Sequence, residues 1–285
     1  MALRFWKYHG LGNDYLVIDP NVHAVDLKPE KIRLICDRNF GVGSDGILYG
    51  PLDGDELRVR IFNPDGSEAE KSGNGLRIFA RYLFEKGYVQ DRNFAINTLG
   101  GVVQAHIIDE SANLIQIEMG TVTFTSTEIP VGGNDRQVVD EPLEIGGEQY
   151  KVTCLSIGNP HCVIPTEEVH EQKAREIGPL VENHPMFPNR INMQLLKVLD
   201  RTNIEIRIWE RGAGYTLASG SSACAAAAAA HKLGLVETKV NVKMPGGTLL
   251  VEIGEDWTIQ MTGPVEAVFE AKAHRNLEER LSALL

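Results

Sequence analysis

The sequence predicts an α/β chain, α+β in its arrangement, made of two similar halves. Two observations predict it. Strand-like alternation is interleaved with helix-like periodicity, and the motifs of the first half return in the second at a near-constant spacing. Lys71-Ser72-Gly73-Asn74-Gly75-Leu76-Arg77-Ile78-Phe79-Ala80 matches Ala218-Ser219-Gly220-Ser221-Ser222-Ala223-Cys224-Ala225-Ala226-Ala227, 147 residues later. Arg60-Ile61-Phe62-Asn63 matches Arg207-Ile208-Trp209-Glu210 at the same spacing. Leu11-Gly12-Asn13-Asp14 matches Ile157-Gly158-Asn159-Pro160, and Gly100-Gly101-Val102 matches Gly246-Gly247-Thr248, both 146 apart. Four matches in the same order imply two copies of one unit, roughly residues 3–119 and 149–265. Residues 1–120 are expected to form an N-terminal half, completed by the tail 266–285, and residues 121–265 a C-terminal half. Fused copies commonly pack about a pseudo-twofold axis, which would set Ser72 and Ser219 across a cleft.

Each element has a local reason. Leu3 to Tyr8 and Tyr15 to Asp19 read as strands around the turn His9-Gly10-Leu11-Gly12-Asn13-Asp14. Lys28 to Asp37 reads as a helix, with Pro29 near its start and Ile32 and Ile35 on one face. The glycine loop Phe40 to Gly46 lacks the Lys-Ser/Thr of a phosphate loop and the spacing of a dinucleotide fingerprint. Leu57 to Asn63 alternates like a strand, and Asn63-Pro64-Asp65-Gly66-Ser67 has the chemistry of a turn. Gly75 to Lys86 reads as a helix with Leu76, Phe79, Ala80 and Leu83 inward. Phe94 to Glu118 is mostly strand, turning at Gly100-Gly101. Thr121 to Tyr150, rich in glycine and proline, reads as the connection between units. The second unit repeats the order. Ile204 to Trp209 alternates like a strand, a glycine loop follows, and Ser219 opens a helix of small residues ending in six alanines, the best helix formers. Asn192 starts a strand, Leu249 to Met261 reads as a hairpin, and Ala267 to Leu285 reads as an amphipathic helix.

Ser72 and Ser219 therefore each stand at a helix N-terminus, where unpaired N–H groups and the helix dipole favour a carboxylate or a developing anion. One such serine alone reads as a helix cap; the repeat makes the pair a candidate site. His161, fixed after Pro160, is either a satisfied core histidine or a group beside that site.

The totals exclude some classes. The formal charge of −11 argues against nucleic acid and anionic membranes as partners. Cys36, Cys154, Cys162 and Cys224 show no metal-ligand spacing and read as core residues, so no metal is expected. No signal segment and no membrane-length apolar run is present, so a cytoplasmic location is expected.

Taken together, the chain resembles diaminopimelate epimerases. The motifs that carry the resemblance are His9 to Asp14, Arg38-Asn39-Phe40-Gly41-Val42-Gly43-Ser44-Asp45-Gly46, Asn63 to Ser67, Ser72 to Arg77, Gly158-Asn159-Pro160-His161, Arg190-Ile191-Asn192 and Glu210 to Ala226. They fall in the family's order and cover nearly the whole chain. The resemblance implies two α/β halves, each a mixed sheet wrapped around a central helix. It implies stereoinversion at an amino-acid α-carbon, LL- to meso-diaminopimelate, with no cofactor, neither pyridoxal phosphate nor metal. One group removes the α-proton and another returns a proton on the opposite face; in the family both are cysteines. Here both positions are serine, Ser72 and Ser219. Ser72, Ser219, Glu210 and His161 match the catalytic positions or their neighbours. Asn13, Asn63, Asn159, Asn192, Glu210 and Arg211 match substrate-holding positions, with Arg211 suited to the distal carboxylate. Backbone N–H groups at Gly73, Asn74 and Gly75 and at Gly220 and Ser221 would hold the α-carboxylate. Gly46, where many members of that family carry glutamine and others glycine, receives no role.

A serine hydroxyl is a weak base unless a neighbour activates it. The same change at both matched positions, in an otherwise intact pattern, points to a form with binding retained and catalysis impaired. The alternatives are a natural relative that uses serine with another base, a racemase of another amino acid such as histidine or proline, and a non-catalytic amino-acid-binding protein. The apolar tail makes a homodimer the expected assembly.

Overall fold

In the computed structural model, which describes residues 3–52 and 56–284, the first alternating run forms a hairpin. Its strands are β1 (Arg4–Gly10) and β2 (Asn13–Ile18). Leu11 and Gly12 make the turn at φ 57° and 86°, the left-handed conformation that glycine adopts freely and leucine does not. After α1 (Pro29–Cys36) come β3 (Ile47–Leu52), β4 (Arg58–Phe62), β5 (Glu68–Ala69), α2 (Gly73–Glu85), β6 (Asn93–Thr98), β7 (Gly101–Ile107) and β8 (Leu114–Thr121). The second half runs β9 (Glu141–Ile145), β10 (Glu148–Ser156), β11 (Pro160–Pro165), α3 (Glu171–Glu182), β12 (Asn192–Asp200), β13 (Asn203–Glu210), β14 (Gly214–Thr216) and α4 (Gly220–Lys232). It closes with β15 (Lys239–Met244), β16 (Gly247–Ile253) and β17 (Thr258–Pro264), followed by β18 (Glu266–Lys272) and α5 (Arg275–Ala283).

These elements divide into two units, Met1–Ile117 with Gly263–Leu285, and Glu118–Thr262. Within the first, successive pairings β1–β2, β2–β3, β3–β4, β4–β6, β6–β7 and β7–β8 are antiparallel, parallel, antiparallel, parallel, antiparallel and antiparallel. Within the second, β10–β11, β11–β12, β12–β13, β13–β15, β15–β16 and β16–β17 follow the same series. The sequence repeat is thus a repeat of mixed-sheet topology.

Each sheet encloses one helix. On α2, Leu76, Arg77, Ile78, Phe79, Ala80, Tyr82 and Leu83 are all buried, not only one face. The helix packs against β1, β2, β3 and β7. In the second unit Ala223 and the six successive alanines Ala225 to Ala230 of α4 are fully buried, and the helix touches β10, β11, β12, β13, β15 and β16. A helix surrounded this closely needs small side chains, which explains the alanine run. The outer layers hold α1 and α5 over one sheet, where Ile32, Ile35 and Leu281 join a core with Phe5 and Leu16. On the second unit α3 packs through Ala174, Ile177 and Val181.

Two expectations change. The stretch 121–150, read as the connection between units, is packed: Ile129, Val131, Val138, Leu143 and Ile145 belong to the second unit's core. The tail is not one helix. Its first part, β18, pairs antiparallel with β1, from Arg4↔Lys272 to His9↔Glu266, and only the last part is helical. An open sheet edge offers backbone partners that outweigh helix propensity there. No helix of the described residues is long and apolar enough to cross a membrane.

Candidate active site

Both serines sit one residue before an enclosed helix, in extended backbone: Ser72 at φ −142°, ψ 116°, Ser219 at φ −150°, ψ 127°. The same strut holds each. Gly100 N donates to Glu70 O (3.0 Å), and Gly246 N donates to Leu217 O (2.9 Å). In both units the glycine turn between two strands therefore braces the residue two before the serine.

Their side chains differ. Ser72 Oγ caps its helix, accepting from Gly75 N at 3.1 Å, and lies 3.0 Å from Tyr15 Oη. Ser219, 6% exposed, makes no side-chain cap and is directed to Glu210. The isolated-cap reading therefore holds for Ser72 and fails for Ser219. Glu210 retains some exposed surface, yet the surrounding protein desolvates its carboxyl and raises its pKa, against the lowering effect of the Ser219 hydroxyl. A carboxylate in that state accepts a proton more readily than an ordinary one.

The first unit arranges its asparagines in a chain. Arg77 Nη2 donates to Asn74 Oδ1 (2.7 Å), Asn74 Nδ2 to Asn13 Oδ1 (3.0 Å), and Asn13 Nδ2 to Asp45 Oδ2 (3.0 Å). Arg38 grips both Asp45 (2.7 Å) and Asp14 (2.6 Å), and Lys7 reaches Asp14 at 2.7 Å. Burial acts to raise the Asp14 pKa, but the hydrogen bonds from Arg38 and Lys7 outweigh it and hold the carboxyl below its ordinary value. This cluster fixes the hairpin that carries Asn13. Asn63 is used locally: its Nδ2 donates to Ser67 Oγ (3.0 Å), closing the turn after β4.

The second unit holds its polar groups through His161. The ring is fully buried, with Nε2 3.0 Å from Asn159 Oδ1 and Nδ1 3.0 Å from Gln194 Nε2. Gln194 also donates to Ser222 Oγ (3.0 Å). An amide nitrogen only donates, so Nδ1 is the acceptor and Nε2 carries the proton. Burial, aided by the Arg211 charge, pushes the His161 pKa down to about 3 despite the Gln194 bond. His161 is therefore the satisfied, neutral core histidine, and it acts on Asn159, whose Nδ2 reaches Ser221 Oγ at 3.4 Å. Asn192 Nδ2 donates to Pro160 O (2.8 Å), and its Oδ1 accepts from Arg211 N (2.9 Å). The exposed Arg211 guanidinium donates to Asn189 O (3.0 Å).

One residue absent from the sequence reading organises this loop. Glu182 accepts from Trp209 Nε1 (2.7 Å), Gly212 N (2.9 Å) and Arg190 Nη1 (3.0 Å). It clamps both ends of the turn that bears Glu210 and Arg211. Its signal was a glutamate beside the core-facing Ala174, Ile177 and Val181 of α3. The ring of Trp209 lies over Gly178, where an added Cβ would come within 2.5 Å of it.

The diaminopimelate epimerase family model matches residues 5–125 and 153–268. "Diaminopimelate epimerase 2" of Nostoc sp. is 56% identical over 265 residues, covering 92% of this chain and 93% of that protein. "Diaminopimelate epimerase 1" of the same strain is 41% identical, covering 95% and 100%. "Diaminopimelate epimerase" of Moorella thermoacetica is 42% identical, covering 94% and 98%. Among solved structures, a probable proline racemase from Agrobacterium radiobacter superposes with a TM-score of 0.70 at 14% identity, covering 96% and 93%. A phenazine biosynthesis protein of the PhzF family from Bacillus anthracis gives 0.65 at 17%, covering 96% and 99%. These two share the fold. With its repeated mixed sheets, its paired helix-capping positions and this extent of sequence identity, the chain belongs to the diaminopimelate epimerase family.

Proposed function

We propose that the chain binds diaminopimelate and carries the framework for inverting its α-carbon from LL to meso, with catalysis weakened by the two serines. Inversion needs a base that takes the α-proton and an acid that returns one on the other face. Each unit supplies one such position at the N-terminus of its enclosed helix, braced by the same glycine strut. That duplication is the observation that carries the reading. Backbone N–H groups at Gly73, Asn74, Gly220 and Ser221 suit the α-carboxylate and the charge that builds on it. The Arg211 guanidinium suits the distal carboxylate. Asn13, Asn159 and Asn192 are held by their own networks and so keep one orientation for a substrate.

The weakness is one of acidity. A thiol titrates near about 8.5 and lower at a helix N-terminus, whereas a serine hydroxyl stays protonated at neutral pH. A second reading has specific support: the Ser219–Glu210 pairing sets a carboxylate of raised pKa beside one serine, as expected of a natural relative that uses Glu210 as its base. Position 63 in the first unit, the match of Glu210, is an asparagine and offers no such base.

The test is α-proton exchange of LL-diaminopimelate in deuterated water, followed by NMR, for this chain and for Ser72→Cys/Ser219→Cys. Exchange in the double-cysteine form alone supports the impaired-epimerase reading. Exchange in the chain as it stands supports the Glu210 reading. Saturable binding with no exchange in either form supports the binding-protein alternative and sinks both.

A further inference from the structure

Tyr15 stands 146 residues before His161, the spacing at which Asn13 precedes Asn159. It occupies the same place in its hairpin: Tyr15 pairs with Tyr8 across β1 and β2, as His161 pairs with Leu155 across β10 and β11. His161 has Asn192 beside it on the parallel strand, and the match of Asn192, again 146 residues earlier, is Gly46. That glycine has a physical reason. A Cβ at position 46 would lie 2.6 Å from Tyr15 Cε1 and 2.6 Å from Phe62 O. Absence of a side chain there leaves room for the Tyr15 ring, which is 6% exposed and ends 3.0 Å from Ser72 Oγ.

A hydroxyl has one proton and two lone pairs. Ser72 Oγ already accepts from Gly75 N at 3.1 Å. A phenol donating to the second lone pair fixes the rotamer and leaves the Ser72 proton to point away from both. We infer that Tyr15 is a positioning residue for the acid–base group at position 72, donating its phenolic hydrogen bond to the side-chain atom there, oxygen or sulfur. The pseudo-equivalent positions thus serve different partners: Tyr15 acts on residue 72 directly, and His161 acts through Asn159. The inference rests on reading position 72 as an acid–base position, and it goes beyond that reading by giving the group a partner.

The test uses a thiol at that position. In Ser72→Cys, the rate of alkylation by iodoacetamide is followed against pH, with the modified peptide identified by mass spectrometry. The four native cysteines are at most 4% exposed, which separates their labelling from that of residue 72. A donated phenolic hydrogen bond favours the thiolate, so Ser72→Cys/Tyr15→Phe is expected to shift the midpoint of the rate–pH profile up by about one pH unit. Phenylalanine keeps the ring and its packing, and an unchanged melting temperature checks this. An unchanged midpoint overturns the inference. A second measurement follows exchange kinetics in Ser72→Cys/Ser219→Cys, where adding Tyr15→Phe is expected to lower kcat about tenfold with little change in KM. An effect confined to KM also overturns it. Alkylation needs no diaminopimelate, so a moved midpoint in a protein that exchanges no diaminopimelate supports the Tyr15 inference and defeats the substrate assignment separately.

Discussion

Serine and cysteine are close in shape and far apart in acidity. What surrounds each hydroxyl then decides its chemistry. Ser72 has a helix N–H and a phenol; Ser219 has a carboxyl made more basic by desolvation. His161 shows the cost of placing an ionisable ring in such a site. The unfolded chain binds a proton at the ordinary imidazole value of about 6.5, whereas the folded ring binds one only near about 3. Between those values the unfolded state holds more protons. Stability conferred by the neutral ring is thus complete above about pH 6.5 and falls on acidification at up to ~1.4 kcal/mol per pH unit. Thermal melts between pH 6.5 and pH 4 are expected to show a shallower acid-side slope in His161→Gln than in the parent. An equal slope would place the titrating group elsewhere.

At the scale of elements, the enclosed helices carry the argument. With Ala225 to Ala230 fully buried, α4 has no solvent face. Ala227→Leu is expected to cost about 1–3 kcal/mol or more, read from the urea midpoint at unchanged slope. A neutral result would mean that the sheet yields around the helix. The alanine run and its opening serine were legible because composition alone dictates a buried helix of small residues. The Gly-Asn turns and the strands beside them were legible by repetition. Less could be read where long-range partners decide. The strand Glu266–Lys272 exists because β1 offers it an edge, and Glu182 matters because Trp209 and Gly212 come to it. His161 was legible as two alternatives, and only its two amide partners select the buried one. Tyr15 and Gly46 carried no signal separately; their contact across parallel strands gives each its meaning.

For the molecule as a whole, two units of matching topology have diverged in the side chains that count. The phenol beside residue 72 comes from β2, whose match β11 carries His161, and the carboxyl beside residue 219 comes from β13, whose match β4 leads into Asn63, so the two surroundings are not interchangeable. The overall equilibrium between LL and meso isomers belongs to the amino acids and cannot register that difference. Kinetics can. If the proposed two-base reading holds, substrates deuterated at the inverting carbon and supplied to Ser72→Cys/Ser219→Cys are expected to show unequal primary isotope effects in the LL-to-meso and meso-to-LL directions, each direction being opened by a different base. Equal effects would mean that the surroundings of the two groups do not reach the transition state. The two units repeat one backbone topology, and the ratio of two isotope effects measures how far their chemistry has diverged from that repeat.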